Sequence, residues 1–119
     1  MTPADEVTLW KAPQPGRDGA REVAVGFDPN DYPGDGPYFA LERALAEDWR
    51  KIYQNGLQEF HLPRQVYDAL VNRGWIKDDY YTPGRACHVL PGGLAAFHAA
   101  TRQATPAVYH AQPAASGPP

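Results

Sequence analysis

Two segments near the start of the chain alternate apolar and polar residues, and this alternation predicts two β-strands. The first is the short segment Val7–Trp10. The second is Glu22–Phe27, in which Val23, Val25 and Phe27 would share one face of an extended chain. A strand with one apolar face is typical of a sheet that packs that face against a core.

The middle of the chain predicts a loop, a helix and a third strand, in that order. Gly and Pro recur throughout Asp28–Pro37, which favours a long loop over a regular element. From Phe39 to Asn55, apolar residues recur at three- and four-residue spacing, as in an amphipathic helix. Gly56 provides a helix end, and the alternation in Leu57–Leu62 predicts a strand.

The rest of the folded part predicts two helices with a strand between them. One helix starts at Pro63 and ends at Gly74, the strand is Arg85–Leu90, and the last helix is Leu94–Arg102. The predicted order is therefore β-β-α-β-α-β-α. This order favours one α+β domain over residues 1–103, with a small, mostly antiparallel sheet and helices packed on it.

The C-terminal segment differs from the rest in composition. Residues 103–119 contain no Asp, Glu, Lys or Arg, and four prolines interrupt any helix there. The sequence therefore predicts an Ala/Pro-rich flexible tail over residues 104–119.

Charge and cysteine content exclude several classes of protein. The chain has 11 Lys+Arg against 14 Asp+Glu, for a formal net charge of −3, so binding to nucleic acid is not expected. A single cysteine cannot form an intramolecular disulfide or a Cys-rich zinc site. Without a signal peptide or a long apolar run, we expect no membrane association. The expected location is the cytoplasm, or delivery as the end module of a larger secreted protein.

Glu59 and His61 are the candidate catalytic residues. They lie two positions apart on the predicted strand Leu57–Leu62, so they share one face of it. A carboxylate beside an imidazole can move a proton or orient a substrate hydroxyl. The alternative is a solvated strand face that carries polar residues for solubility alone.

Other chemistry-bearing residues have ordinary structural explanations. Cys87 and His88 are adjacent on a strand and would point to opposite faces, so they do not form a nucleophile–base pair by themselves. The histidines lack a metal-binding spacing, so no metal site is expected. The acidic loop Asp28–Pro37 lacks the spacing of a calcium loop and is typical of turns. Tyr80 and Tyr81 could serve as contacts at an interface or as core residues.

Three segments resemble the small ADP-ribosyltransferase-like domains found at the ends of bacterial polymorphic toxins. Val7–Ala12 resembles the opening strand of that family, of the form hydrophobic-x-Leu-aromatic-Arg-Ala. Gly36–Ala40 and the helix after it are similar to the family's Gly-x-Tyr-Phe segment and its helix. Gly56–Pro63 is similar to the next strand, which in that family ends in Pro. The resemblance covers about residues 7–98.

The resemblance implies a split antiparallel sheet with a cleft for NAD, and transfer of ADP-ribose to a target. Lys11 matches the first-strand position where the family has an Arg or His that grips the dinucleotide. Tyr38 and Phe39 match the residues that flank or stack on the nicotinamide. The family's late-strand Glu, which stabilises the oxocarbenium-like transition state, has no counterpart in Ala86–Val89, and Glu59 is the nearest substitute.

Two alternative functions are therefore compatible with the sequence. The first is an ADP-ribosyltransferase-like effector that uses NAD as substrate and no metal, with a protein target or an immunity-type protein as partner. The second is a non-catalytic interaction module on the same fold, in which a partner meets Tyr80 and Tyr81 or the tail. A cleft lined by Lys11, Tyr38 and Glu59 would favour the enzyme.

Overall fold

A six-stranded antiparallel sheet organises the structure, a computed structural model that describes residues 5–113. The elements within these residues, in chain order, are β1 (Glu6–Lys11), α1 (Gly19–Val25), β2 (Tyr38–Ala40), α2 (Arg43–Tyr53), β3 (Leu57–Pro63), α3 (Arg64–Asn72), β4 (Ile76–Asp78), β5 (Ala86–Val89), a 3-10 turn (Pro91–Gly93), α4 (Leu94–Thr101) and β6 (Val108–His110). The predicted fold class, α+β with an antiparallel sheet, is confirmed.

The order of strands in the sheet is β4-β5-β2-β1-β3-β6, and every neighbouring pair is antiparallel. β1 pairs with β3 along its whole length, from Glu6 opposite Pro63 to Lys11 opposite Gln58. Its pairing with β2 is limited to Trp10 opposite Ala40. The sheet is therefore continuous, but β1 and β2 are joined by this one residue pair.

Apolar side chains fill both faces of the sheet. The larger cluster centres on Phe27, Phe39, Phe60 and Phe97, whose rings contact one another at centroid distances of 5.1–6.5 Å. The smaller cluster lies under α2 on the other face and includes Leu57. Aromatic rings therefore fill much of the volume that aliphatic side chains would otherwise fill in this core.

None of the helices within residues 5–113 is long and apolar enough to cross a bilayer.

The predicted strand Glu22–Phe27 is wrong, because this segment forms helix α1. The Asp18 side chain caps the helix by accepting a hydrogen bond from the Arg21 backbone N–H, and Gly26 ends it at a φ of 94°. Glu22 is buried and accepts a hydrogen bond of 2.9 Å from Gln58 of β3. The cap and this long-range bond favour the helix over the strand that alternation predicted.

The predicted helix Phe39–Asn55 starts four residues later than expected. Tyr38–Ala40 is strand β2, which pairs with β5, and α2 covers Arg43–Tyr53. The helix ends at Gln54, which adopts the left-handed conformation. Ile52, an apolar residue within the predicted helix, is 74% exposed.

The predicted flexible tail is wrong for the part that the structure describes. Val108–His110 is strand β6, which pairs with Leu57–Glu59 of β3. The Tyr109 ring lies so close to Gly19 and Gly56 that a Cβ atom at either glycine would collide with it. Residues up to 113 are thus part of the fold, while the rest of the predicted tail, 114–119, lies outside the described residues.

Candidate cleft between the first two strands

A cavity of about 570 Å³ opens where β1 and β2 separate. This volume is in the range of small-molecule sites. Fifteen residues line it: Lys11, Ala12, Gln14, Arg17, Asp31, Tyr32, Pro33, Gly36, Pro37, Tyr38, Trp49, Tyr53, Asp79, Tyr81 and Thr82. They come from the end of β1, two loops, the start of β2, helix α2 and the segment after β4.

Lys11 places a cation in the cleft. Its side chain is buried, and its Nζ lies 5.1 Å from the centre of the Tyr32 ring and 5.9 Å from that of Phe27. Among residues 5–113, no salt bridge or hydrogen bond engages this ammonium. Burial lowers its pKa to about 8, while Glu22 acts to raise the pKa and Arg17 to lower it.

Tyr32 links the two cations of the cleft. The guanidinium carbon of Arg17 lies 4.7 Å from the centre of its ring, and its hydroxyl donates a 2.5 Å hydrogen bond to Glu22 Oε2. Arg17 also forms a 3.4 Å ion pair with Asp31. Burial, followed by the bond to Glu22, raises the pKa of Tyr32 far above its usual value. Tyr32 therefore stays a neutral phenol and an acceptor of cation–π contacts.

Aromatic side chains form the walls of the cleft. Trp49 and Tyr53 reach it from α2, and Tyr81 from the loop after β4. Tyr38 stacks on His88 of β5 with a centroid distance of 5.0 Å, and its hydroxyl donates a 2.7 Å hydrogen bond to Asp35. Burial, together with that bond, raises the pKa of Tyr38 to about 12. The walls thus offer flat ring surfaces to a ligand.

Asp79 is the buried carboxylate of the cleft. It follows β4, is only 6% exposed, and one of its oxygens, Oδ2, accepts hydrogen bonds from the Thr82 backbone N–H and hydroxyl. The other oxygen, Oδ1, is buried without a hydrogen-bond partner among the described residues. A buried acceptor without a partner is uncommon in folded proteins and often marks a functional position.

Comparison with known proteins assigns the chain to no family. The chain matches no protein-family model, no curated protein and no solved structure.

The five site residues predicted from the sequence are divided among three places. Lys11 and Tyr38 line the cleft. Phe39 is fully buried in the larger apolar cluster, so its predicted place beside a bound nicotinamide is wrong. Glu59 and His61 lie on the opposite face of the sheet from Lys11, because Lys11 is in register with Gln58, the neighbour of Glu59.

Glu59 and His61 form a polar cluster with His110. Glu59 Oε2 accepts a 2.6 Å hydrogen bond from His61 Nε2, and its Oε1 accepts one of 2.9 Å from His110 Nε2. Thr8 Oγ1 lies 3.1 Å from His61 Nδ1. Burial acts to raise the pKa of Glu59, but the hydrogen bonds from His110 and His61 outweigh it and lower the pKa. This cluster joins β6 to β3, and neither Glu59 nor His61 lines the cleft.

The remaining candidates have structural roles. Cys87 is buried in the core, and burial raises the pKa of its thiol to about 12, which makes it a poor nucleophile at neutral pH. In the acidic loop, Asp28 accepts a hydrogen bond from the Asn30 backbone N–H and Asp35 accepts one from Tyr38. Within residues 5–113, no group of three or more acidic, His or Cys side chains is arranged to hold a metal ion.

The sequence pattern did not identify four cleft residues that matter for the chemistry as site residues. Arg17 and Tyr32 lie in segments that the pattern marks only as loops, and Trp49 counts as part of a helix stripe. Asp79 belongs to an acidic and aromatic run typical of an exposed loop. Its burial depends on the pairing of β4 with β5, which no local pattern indicates.

Proposed function

We propose that the cleft binds NAD and that the protein transfers ADP-ribose from it to a target side chain. The observation that carries this proposal is the combination in one cleft of three features: a cation at Lys11 with no ion pair among residues 5–113, aromatic walls, and a buried carboxylate at Asp79. The resemblance of three segments to ADP-ribosyltransferase-like domains supports the same substrate.

NAD offers a chemical match for each part of the cleft. Its diphosphate is anionic and suits the ammonium of Lys11, with Arg17 as a second cation at the rim. Its two ring systems suit the faces of Trp49, Tyr53 and Tyr38. A substrate with both features would fill a cavity of this size better than a small anion alone.

Asp79 takes the electrostatic role in the proposed reaction. When the bond between the ribose C1 and the nicotinamide nitrogen breaks, the bonding electrons leave with the now neutral nicotinamide, and positive charge develops on the ribose. A carboxylate can stabilise that charge, and Asp79 is the buried carboxylate that lines the cleft. The target side chain then forms the new bond to C1 and releases its proton to solvent.

The experiment separates binding from chemistry. NAD is titrated into the protein by calorimetry, and nicotinamide release is followed by chromatography. Asp79→Asn should keep NAD binding while release falls by roughly a hundredfold, as for other transition-state charge contacts. Lys11→Met should weaken binding by about tenfold, and Asp48→Asn on the exposed surface of α2 is the matched control.

Either of two results would contradict the proposal. The first is wild-type protein that gives no binding heat with NAD and releases no nicotinamide in the presence of candidate target proteins. The second is release that persists in Asp79→Asn and is lost in Glu59→Gln, which would move the chemistry to the opposite face of the sheet.

A second candidate function is supported by the loop beside the cleft. Tyr80 and Tyr81 are 85% and 82% exposed and pack edge to face with each other. Tyr rings in such positions are typical of protein interfaces, and Tyr81 also lines the cleft. An immunity-type protein that binds this loop would cover the cleft entrance. Partner capture that is unchanged by Tyr80→Ala with Tyr81→Ala would remove this candidate.

A further inference from the structure

Lys11 differs from the other lysines of this chain in its surroundings. The sequence contains three lysines, Lys11, Lys51 and Lys77. Lys51 is highly exposed and lies 3.8 Å from Asp48, and Lys77 is exposed on β4. Lys11 is only 5% exposed, lines the cleft and has no ion pair among residues 5–113. Lys11 is thus the one of the three lysines that lines the cleft.

The charges around Lys11 act in opposite directions. Glu22 of α1 favours the ammonium, and Arg17 of the neighbouring loop disfavours it. Tyr32 is neutral and holds the carboxylate of Glu22 through its hydroxyl, and Asp31 is paired with Arg17. Gln58, opposite Lys11 on β3, carries no charge. Within the part of the chain that the structure describes, no carboxylate therefore pairs with the amine to hold it as a cation, and it is available to lose a proton.

A buried amine with these neighbours is suited to nucleophilic chemistry. With a pKa of about 8, roughly one amine in ten is unprotonated at pH 7, against fewer than about one in a thousand for an exposed lysine. Desolvation and a neighbouring cation are the two means by which proteins activate lysine for attack on a carbonyl group. Both are present at Lys11.

We propose that Lys11 is a nucleophilic amine that condenses with an aldehyde carrying an anionic group. The nitrogen of Lys11 forms a bond to the carbonyl carbon, and the carbonyl oxygen leaves as water with the two hydrogens of the neutral amine. The product is an imine, and no oxidant or reductant is required. Arg17 at the rim of the cleft receives the anionic group. This activity does not depend on NAD being the natural substrate.

Borohydride trapping tests the proposal on the wild-type chain. The protein is incubated with pyridoxal 5′-phosphate at pH 7, the imine is reduced to a stable amine, and the adduct at each of the three lysines is quantified by peptide mass spectrometry. The adduct at Lys11 should exceed that at Lys51 or Lys77 by at least about tenfold. Equal or greater labelling of the exposed lysines would overturn the proposal.

Two further arms identify what the cleft recognises. Pyridoxal without its phosphate should label Lys11 several-fold less while Lys51 and Lys77 keep their labelling, and equal labelling at Lys11 would overturn the anionic requirement. NAD added as a competitor tests the proposal that the cleft binds NAD. If NAD leaves the labelling of Lys11 unchanged, the result contradicts NAD binding in the cleft but agrees with a reactive amine at Lys11. Lys11→Arg, whose fold is checked by circular dichroism, should lose the cleft adduct alone.

Discussion

The Nζ of Lys11 lies 5.1 Å from the centre of the Tyr32 ring, where no carboxylate within residues 5–113 pairs with it. A cation over an aromatic face is stabilised by about 0.5–2 kcal/mol, which is less than the free energy lost when an ammonium is removed from water. This position therefore lowers the stability of the fold at neutral pH and keeps a charge available to a ligand.

Lys11→Met should stabilise the protein, and by an amount that depends on pH. The folded-state pKa of about 8 lies below that of an unfolded lysine, so the unfolded chain holds more protons between about pH 8 and pH 10. The penalty is fully present below pH 8 and is lost as the pH rises through this window. The difference in unfolding free energy between variant and wild type, measured in urea, should shrink by roughly 2 kcal/mol from pH 7 to pH 10. A difference that stays constant would contradict the burial of an ammonium.

Changes at Glu22 and Arg17 should move the reactivity of Lys11 in opposite directions. Glu22 acts to raise the pKa of Lys11 and Arg17 acts to lower it. At pH 7, Glu22→Gln should therefore speed reductive methylation of Lys11 by formaldehyde, and Arg17→Gln should slow it. Formaldehyde has no charge, so loss of an anion contact plays no part. Methylation of Lys77, quantified in the same digest, should stay constant; rates at Lys11 that move together in both variants would contradict this electrostatic account.

Gly36 should tolerate no side chain at the edge of the cleft. Its φ is 76°, and a Cβ atom there would overlap the backbone carbonyl oxygen of Val89 on β5. Gly34 has a similar φ of 74° but open space around it, so it is the matched control. Gly34→Ala should lose about 1–2 kcal/mol through backbone strain alone. Gly36→Ala should lose at least about 2 kcal/mol more, because β2 or β5 must shift. Equal melting temperatures for the two variants would refute the close approach.

Glu59→Gln should loosen the pairing of β6 with β3. Burial acts to raise the pKa of the Glu59 carboxyl, but the hydrogen bonds from His110 and His61 lower it below the ordinary value. The stabilisation is therefore present above the unfolded-state pKa and is lost as the pH falls through the lowered one. Protection factors of the peptide over residues 105–113, which are corrected for the pH dependence of intrinsic amide exchange, should be lower in Glu59→Gln at pH 7 and in wild type at acidic pH than in wild type at pH 7. Asp48→Asn should exchange as wild type; unchanged exchange in Glu59→Gln would show that the cluster does not hold β6.

The sequence correctly predicts an element when the apolar residues of its pattern are also the residues that are buried in the fold. In β3, Phe60 and Leu62 alternate with Glu59 and His61, and the same alternation separates the buried face from the polar one. In α1 the pattern misleads, because the residues that alternation places on one face are not buried together. Val23 is partly buried against the larger cluster, whereas Val25 is 59% exposed. The decisive interactions of α1 are the Asp18 cap and bonds from Glu22 to residues 10 and 36 positions away.

The cleft could be predicted only in part for the same reason. Lys11 and Tyr38 belong to segments that carry the family resemblance, and they line the cavity. Asp79 is buried because β4 pairs with β5, and Arg17 reaches the cleft because Asn55 holds its loop through hydrogen bonds to the carbonyls of Gln14 and Arg17. The strand pairing joins residues 9 to 13 positions apart, and the hydrogen bonds of Asn55 join residues 38 and 41 positions apart. The partners in such contacts cannot be identified from local spacing.

Strand β6 shortens the open edge of β3 and is itself an edge strand of only three residues. It covers Leu57–Glu59 on the outer edge of β3, the position where an open strand would offer its N–H and C=O groups to another molecule. A fragment that ends at residue 103 would expose that edge together with the glycine surfaces that Tyr109 covers. Such a fragment would be prone to edge-to-edge aggregation, so a shortened form of this protein needs to retain the chain through His110 to keep that part of the edge paired.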